Sequence, residues 1–192
     1  MHFRTGTKDD AERIAVLHTE SWKTAYAGIM PAAYLNGSLL EERRAMWITR
    51  LASSASEPAG EGSASLVVAV EDTALQGFVY LLLQPDGRIL LDNLHVLPTR
   101  KRSGIGRQLM RHAFTWAAAH HPGKAVYLEV LRDNAPAVGF YERNGGEATR
   151  EFVERFPAGF ELPVVEFTWN PAAVNASAHI GTTPDLIGPL TP

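Results

Sequence analysis

The sequence predicts an α/β chain, a mixed sheet of about seven strands flanked by about four helices. Three observations lead there. Residues 89–131 read as strand, glycine-bearing basic turn, amphipathic helix and second strand, a unit whose two strands must run parallel through a right-handed crossover. Short turn signals near Asp72–Gln76, at Pro85-Asp86-Gly87 and at Pro157-Ala158-Gly159 make the strands on either side of each antiparallel. Segments with a helical apolar period separate these strand groups.

The elements follow in order. His2–Thr5 is a short first strand, and Thr7-Lys8-Asp9-Asp10 is a capping start for a helix with Ile14, Leu17 and His18 on its inner face. Residues 21–36 are rich in aromatics and turn formers. Trp22 and Tyr26 lie one helical turn apart, and Gly28 and Pro31 break the run. Residues 41–51 form a second helix with Met46, Trp47 and Leu51 inward, and residues 52–65, small, polar and glycine-rich, read as a flexible loop. Strands are expected at 66–70, 77–83 and 89–96, then a helix over 104–119 with Ile105, Leu109, Ala113, Trp116 and Ala117 on one face. His120-His121 reads as a helix C-terminal cap rather than a metal pair, because sequence neighbours diverge on a helix. Residues 125–131 alternate as a strand, and Asn134 caps a helix in which Pro136 sits harmlessly in the first turn. Residues 147–155 and 162–169 pair as a final hairpin. One domain over 1–170 is expected, with 171–192 a loosely held tail.

Composition bounds the function. The chain has 192 residues, enough for one ordinary core. Its 45% apolar and 20% charged residues suit a globular protein, and its net charge of -3 exerts no general pull on nucleic acid or anionic membrane. The absence of cysteine removes disulfides, thiolate metal sites and a covalent acyl-cysteine intermediate. No metal is expected. No apolar run reaches transmembrane length and the N-terminus lacks a signal-peptide core, so the cytoplasm is the expected compartment.

The organising stretch is Leu91–Gly106, LDNLHVLPTRKRSGIG. Pro98 ends a buried strand, and Arg100, Lys101 and Arg102 precede Ser103-Gly104-Ile105-Gly106. The turn hands unpaired N–H groups to a helix N-terminus, where the dipole favours an anion, and the two glycines let a pyrophosphate approach the backbone. It is neither a P-loop nor a dinucleotide fingerprint, since neither spacing is present. On its own the basic triplet also reads as a solvated edge or a nucleic-acid contact.

Lys101-Arg102-Ser103-Gly104-Ile105-Gly106 resembles motif A of the GNAT N-acetyltransferase superfamily, R/Q-x-x-G-x-G/A after a strand, with Lys101 replacing the usual Arg or Gln. Leu128-Glu129-Val130, Asn134, Ala137, Phe140-Tyr141-Glu142 and Gly145 resemble its motif B, with Gly146 where an aromatic is usual, a departure expected to loosen packing beneath the helix. Motif B is especially similar to that of bacterial enzymes acetylating the N-terminal alanine of a ribosomal protein. Trp22, Lys23, Ala25, Tyr26, Gly28, Ile29 and Pro31 match a stretch found in many bacterial members.

The resemblance implies the acyl-CoA N-acyltransferase fold, with the two central parallel strands splayed at a bulge to admit the pantetheine. It implies acetyl-CoA as acyl donor, held by Leu94, Val96, Lys101, Arg102, Ser103, Gly104, Ile105, Gly106, Arg107 and Asn134. A backbone N–H at Val96 polarises the carbonyl, and Tyr141 is the general acid. Trp22, Tyr26 and Glu20 are expected at the acceptor wall, although Trp22 and Tyr26 also read as core.

For the general base, Glu129 comes first and Asp92 second. His95 comes third, because it should point away from Asp92. The plainer reading of Glu129 is a sheet-surface carboxylate paired with a basic residue. Glu20 and Asp92 would suit a cationic acceptor. The expected activity is acetyl transfer to a primary amine by direct attack in a ternary complex. The alternative is a non-catalytic acyl-CoA sensor on the same fold. Homodimers are frequent in the family, and the final hairpin or the tail is the candidate interface.

Overall fold

The structure, a computed structural model, describes residues 1–56 and 63–179. Seven strands form one sheet: β1 (His2–Thr5), β2 (Ala64–Glu71), β3 (Ala74–Leu83), β4 (Ile89–Val96), β5 (Val126–Leu131), β6 (Glu147–Arg155) and β7 (Glu161–Trp169), in the spatial order β1-β2-β3-β4-β5-β7-β6. All neighbours are antiparallel except β4 and β5. The helices are α1 (Ala11–Ala25), the single turn α2 (Ala32–Leu35), α3 (Leu39–Ser56), α4 (Ile105–His120), α5 (Ala135–Arg143) and α6 (Pro171–His179). The expected mixed sheet is therefore present, with α2 and α6 beyond the four helices anticipated.

Each face of the sheet has its own core. On one, Leu109, Ala113 and Phe114 of α4 pack against Val79, Leu81, Ile89 and Leu128. On the other, Ile14 of α1 and Trp47 of α3 pack against Val68, Phe78 and Tyr80. A third cluster joins Met30, Leu35 and Leu39 to Leu131 and Val164, tying the α1–α3 connection to the far half of the sheet.

The start of α1 is set by a carboxylate. Asp10 is fully buried and accepts hydrogen bonds from the Thr7 amide (2.9 Å), Arg4 (2.8 Å) and Arg13 (2.6 Å). Those partners, Arg4 foremost, hold it at about 2. Its contribution to stability is present above the ordinary carboxylate range and is lost as the pH falls toward that value.

Three expectations need correction. The loop over 52–65 gives way to helix as far as Ser56; residues 57–62 lie outside the described set. The β2–β3 turn is only Asp72-Thr73, with Asp72 at φ 54°, so β3 begins at Ala74. The tail does not loosen at 171: α6 lays Val174, 2% exposed, into the core beside α4, and Asn170 accepts from the Ala173 amide at 2.9 Å. The portion over 180–192 lies outside the described residues.

β6 forms one margin of the sheet and is almost wholly exposed, carrying Glu147, Arg150, Glu151, Glu154 and Arg155.

Gly146 loosens nothing. A Cβ there would come within 2.7 Å of Cζ2 of Trp169, whose indole is 1% exposed and donates to the Asn144 carbonyl at 2.9 Å. Trp169 supplies from β7 the aromatic bulk missing at 146. Gly146→Ala should therefore overpack this joint, destabilising by about 1–3 kcal/mol and lowering the melting temperature by about 2–4 °C per kcal/mol in a thermal scan. An unchanged melting temperature would show that the indole yields freely.

Candidate active site

The site begins as a failure of pairing. β4 and β5 share only the pairs Ile89↔Val126 and Leu90↔Tyr127, then diverge. On its other side β4 stays paired with β3, but Tyr80 faces Asn93 while Leu81 faces Leu91, leaving Asp92 as the extra residue of a bulge. Beyond Leu90, the edge of β4 turned toward β5 offers alternate backbone N–H and C=O groups to a cleft of about 960 Å³.

One end of the cleft is built for an anion. Gly104 caps α4 at φ 84°, the left-handed conformation that glycine adopts without a Cβ penalty, and Arg102 reaches φ 65° just before it. No side chain caps the helix, and the first intrahelical bond runs from the Gln108 amide to the Gly104 carbonyl at 3.1 Å. The amides of Ile105, Gly106 and Arg107 are thus the helix's unclaimed donors. Lys101, Arg102 and Arg107 line the same end. Arg100 lines it too, but is tied to Glu71 at 2.8 Å. Ser103 is not in the lining; its hydroxyl donates to the Arg100 carbonyl at 2.6 Å and braces the turn.

Leu94 and Val96 line the β4 side, and Leu128, Glu129 and Val130 the β5 side. Asn134, Phe140, Tyr141 and Arg143 close the cleft from α5, whose N-cap Asn134 accepts from the Ala137 amide at 3.4 Å. Ser21 and Tyr26 of α1 form the opposite rim.

The hydroxyls of this rim stay protonated at neutral pH. Burial pushes Tyr26 up to about 12, against the pull of Arg43. Burial, reinforced by Tyr26, pushes Tyr141 well above the ordinary phenol range. Glu129 is also raised, although its side chain is exposed on β5: the surrounding protein partly desolvates it, then Glu154 and Glu166 add to the shift, with Arg150 and Arg88 opposing. It faces Glu166 across the β5–β7 ladder, and Arg88 reaches Glu166 (3.0 Å) rather than Glu129. No basic group lies within 4.0 Å of Glu129 among the described residues, so the plainer paired-carboxylate reading does not describe it.

The other sequence-derived residues fall as follows. Asp92 lines the cleft, but its carboxylate accepts from Arg50 and from the Asn93 amide group, both at 2.5 Å. His95, expected to point away from Asp92, lines the cleft as well, because the bulge breaks the alternation between them. Trp22 stands one layer behind the wall, edge-on to Tyr26 at 5.1 Å. Glu20 lies outside the cleft, in a shallow depression beside Lys23 and Pro98. Among the described residues no group of three or more His, Cys, Asp or Glu could hold a metal ion, and no helix is long and apolar enough to cross a membrane.

Sequence reading missed a buried imidazole pair. The His18 and His95 rings lie against each other, centroids 4.4 Å apart and tilted by 31°. Trp47 donates its indole N–H to His18 Nδ1 (3.1 Å), and His95 Nδ1 lies 3.0 Å from the Ser21 hydroxyl. Burial, then the charges of Arg43 and Lys101, push His95 down to about 3; burial also lowers His18. The partners come from α1, α3 and β4, distant in sequence, so no local pattern announces them.

These imidazoles resist protonation only in the folded chain. Once unfolded they take up protons below about 6.5, so stability should fall as the pH drops from about 7.5 to about 5. The check is a melting-temperature series over that range. His95→Gln should flatten the slope, and the His95 ring signals in an NMR titration should stay at their neutral positions. A normal titration of His95 would refute the buried pair.

Comparison with known proteins places this architecture. A family model described as Acetyltransferase (GNAT) family matches residues 19–146. Streptothricin acetyltransferase of Streptomyces lavendulae is 36% identical over 84 residues, 43% of this chain and only 44% of that protein's length. An uncharacterized N-acetyltransferase of Bacillus subtilis, YuaI, is 27% identical over 175 residues, covering 86% of this chain and 91% of the relative. Among solved structures, the PaiA N-acetyltransferase of Thermoplasma acidophilum in complex with coenzyme A aligns with a TM-score of 0.67 at 22% identity, covering 88% of this chain and 98% of that one. The acetyltransferase yncA of Salmonella typhimurium, described as putative and solved with acetyl-CoA, aligns at 0.63 and 17% identity over 89% and 94%.

Proposed function

The chain belongs to the acetyltransferase (GNAT) family, and on that premise we propose that it transfers the acetyl group of acetyl-CoA to a primary amine by direct attack in a ternary complex. The observation that carries the reading is the Gly104 turn: uncapped amides at a helix N-terminus, opening onto the gap between β4 and β5. The residues present fit the donor. Lys101, Arg102 and Arg107 stand at that turn with no carboxylate within 4.0 Å among the described residues, as a pyrophosphate site requires. The unpaired edge of β4 suits the amide-bearing pantetheine arm, and Asn134 stands across the cleft from it.

Bound acetyl-CoA supplies an activated acyl carbon on a thiolate leaving group. The acceptor must first lose a proton, since an alkyl ammonium holds it to a pKa of about 10. Glu129 takes that proton, directly or through one water; its raised affinity and lack of a cationic partner suit it to the task. Asp92 comes second for this role, because its carboxylate is already engaged by Arg50. The freed nitrogen forms the C–N bond while a β4 amide at Val96 donates to the carbonyl oxygen. As the C–S bond breaks, the Tyr141 hydroxyl gives its proton to the departing sulfur, and the second proton shed by the nitrogen as the amide forms restores the tyrosine through solvent. His95, kept neutral, adds no repulsive charge beside an incoming ammonium.

The decisive assay is amine-dependent release of free CoA, with binding followed by calorimetry. Tyr141→Phe should lower kcat roughly a hundredfold or more while leaving CoA affinity unchanged. Glu129→Gln should do the same and abolish the rising limb of the rate–pH profile, which for this carboxylate lies above the ordinary range. Binding without release by any amine, together with an inert Tyr141→Phe, would reassign the fold to sensing. Absence of CoA binding would sink both readings.

A further inference from the structure

Ser21 is the hydroxyl of α1 that turns away from its own helix. Thr19 and Thr24 donate back to the carbonyls of Ala15 and Glu20, at 2.8 and 2.9 Å. Ser21, 5% exposed, instead meets His95 Nδ1 at 3.0 Å and has no other partner among the described residues. A buried hydroxyl carries one proton and loses most when that proton goes unclaimed, so Ser21 donates to Nδ1. The hydrogen-bond network thereby assigns the proton of the His95 ring to Nε2.

Two rings hold this imidazole, His18 with its centroid 4.4 Å away and Phe78 at 5.4 Å. Nε2 finds no partner among the described residues, yet it is not shut away as His18 Nε2 is. The His95 side chain is only partly buried, and both His95 and Ser21 line the cleft. Tyr26, on the same rim, lines it too, with a hydroxyl that has no partner among the described residues. This side of the cleft thus presents an N–H and an O–H that call for an oxygen from outside the protein.

The charge on this side argues for an uncharged oxygen. Asp92, tied to Arg50, and Glu129 line the cleft as carboxylates, so a carboxylate on the acceptor would face like charge. Burial holds His95 uncharged, pushed down to about 3, so it offers a hydrogen bond and no counter-ion. His95 directly precedes Val96, whose amide meets the reacting carbonyl in the mechanism above, so the oxygen it reaches lies within a few bonds of the attacking nitrogen.

We propose that His95 Nε2–H donates to an amide carbonyl oxygen on the acceptor, with Ser21 as its positioning residue, so that the amines acetylated here are α-amino amides, free or at the start of a peptide. The inference rests on acetyl transfer occurring in the cleft.

The test follows CoA release by the full chain with alanine amide, alanyl-alanine amide, alanine, and sec-butylamine, which replaces the amide of alanine amide by an ethyl group. Each rate is referred to the concentration of unprotonated amine. For the wild-type protein, kcat/KM with at least one of the amides should exceed that with alanine and with sec-butylamine by about tenfold or more; the faster amide identifies the source. His95→Phe should erase that ratio, and His95→Gln, which keeps an N–H donor, should retain part of it. In nitrogen NMR spectra of the wild-type protein the His95 ring should carry its proton on Nε2, and Ser21→Ala should mix the two tautomers. Alanine or sec-butylamine turned over as well as the amides would overturn the inference while leaving acetyl transfer intact. So would a His95→Phe variant that slows every acceptor in proportion, or a wild-type ring protonated on Nδ1. Failure of every amine to release CoA would overturn acetyl transfer, and the inference with it. The wild-type comparison and spectrum decide even if the variants do not fold.

Discussion

The structure depends on a parallel strand pair that holds together for only two residue pairs. β4 and β5 are neighbours in the middle of a seven-stranded sheet, where an uninterrupted ladder would normally be most favourable. Their separation is affordable because each strand keeps its other partner, β3 or β7, so only one edge of each loses its bonds. The bulge at Asp92 adds the local twist that drives them apart. The helix that crosses between them, α4, begins at the unpaired end, where its first residues line the cleft. Its uncapped N-terminus, the bare edge of β4 and the hydroxyl of Tyr141 therefore face one space.

Electrostatics divides that space. At the α4 end Lys101, Arg102 and Arg107 have no carboxylate within 4.0 Å among the described residues, while elsewhere burial keeps the walls neutral: Tyr26 and Tyr141, from opposite rims, hold their protons and the two imidazoles refuse one. Glu129 stands between these regions with no basic group within 4.0 Å among the described residues, its proton affinity lifted by partial desolvation and then by Glu154 and Glu166. The proposed acid, base and anion seat can coexist here because three different elements, α5, β5 and the turn before α4, present them.

What could be read from the sequence was what is local. The strand–turn–helix at 89–120 and the capped helix at Asn134 each lie within one short stretch, and turn chemistry fixed the antiparallel neighbours. What could not be read depends on pairing between distant segments. The bulge that turns both Asp92 and His95 into the cleft exists only in the register of β4 against β3. The engagement of Asp92 by Arg50 needs α3 to cross near β4. Gly146 invites a reading as a packing defect because the tryptophan that fills the space lies on another strand. Trp22 and Glu20 sit on a correctly read helix but one layer back, or one face round, from the wall, a distinction finer than helical periodicity can make.

The charged outer strand β6 has a consequence of its own. A bare sheet margin ordinarily invites a foreign strand to dock along its open amides, but a newcomer here would have to lie beside Glu147, Arg150, Glu151, Glu154 and Arg155. That density of charge discourages indiscriminate fibre growth and self-association through extended backbone.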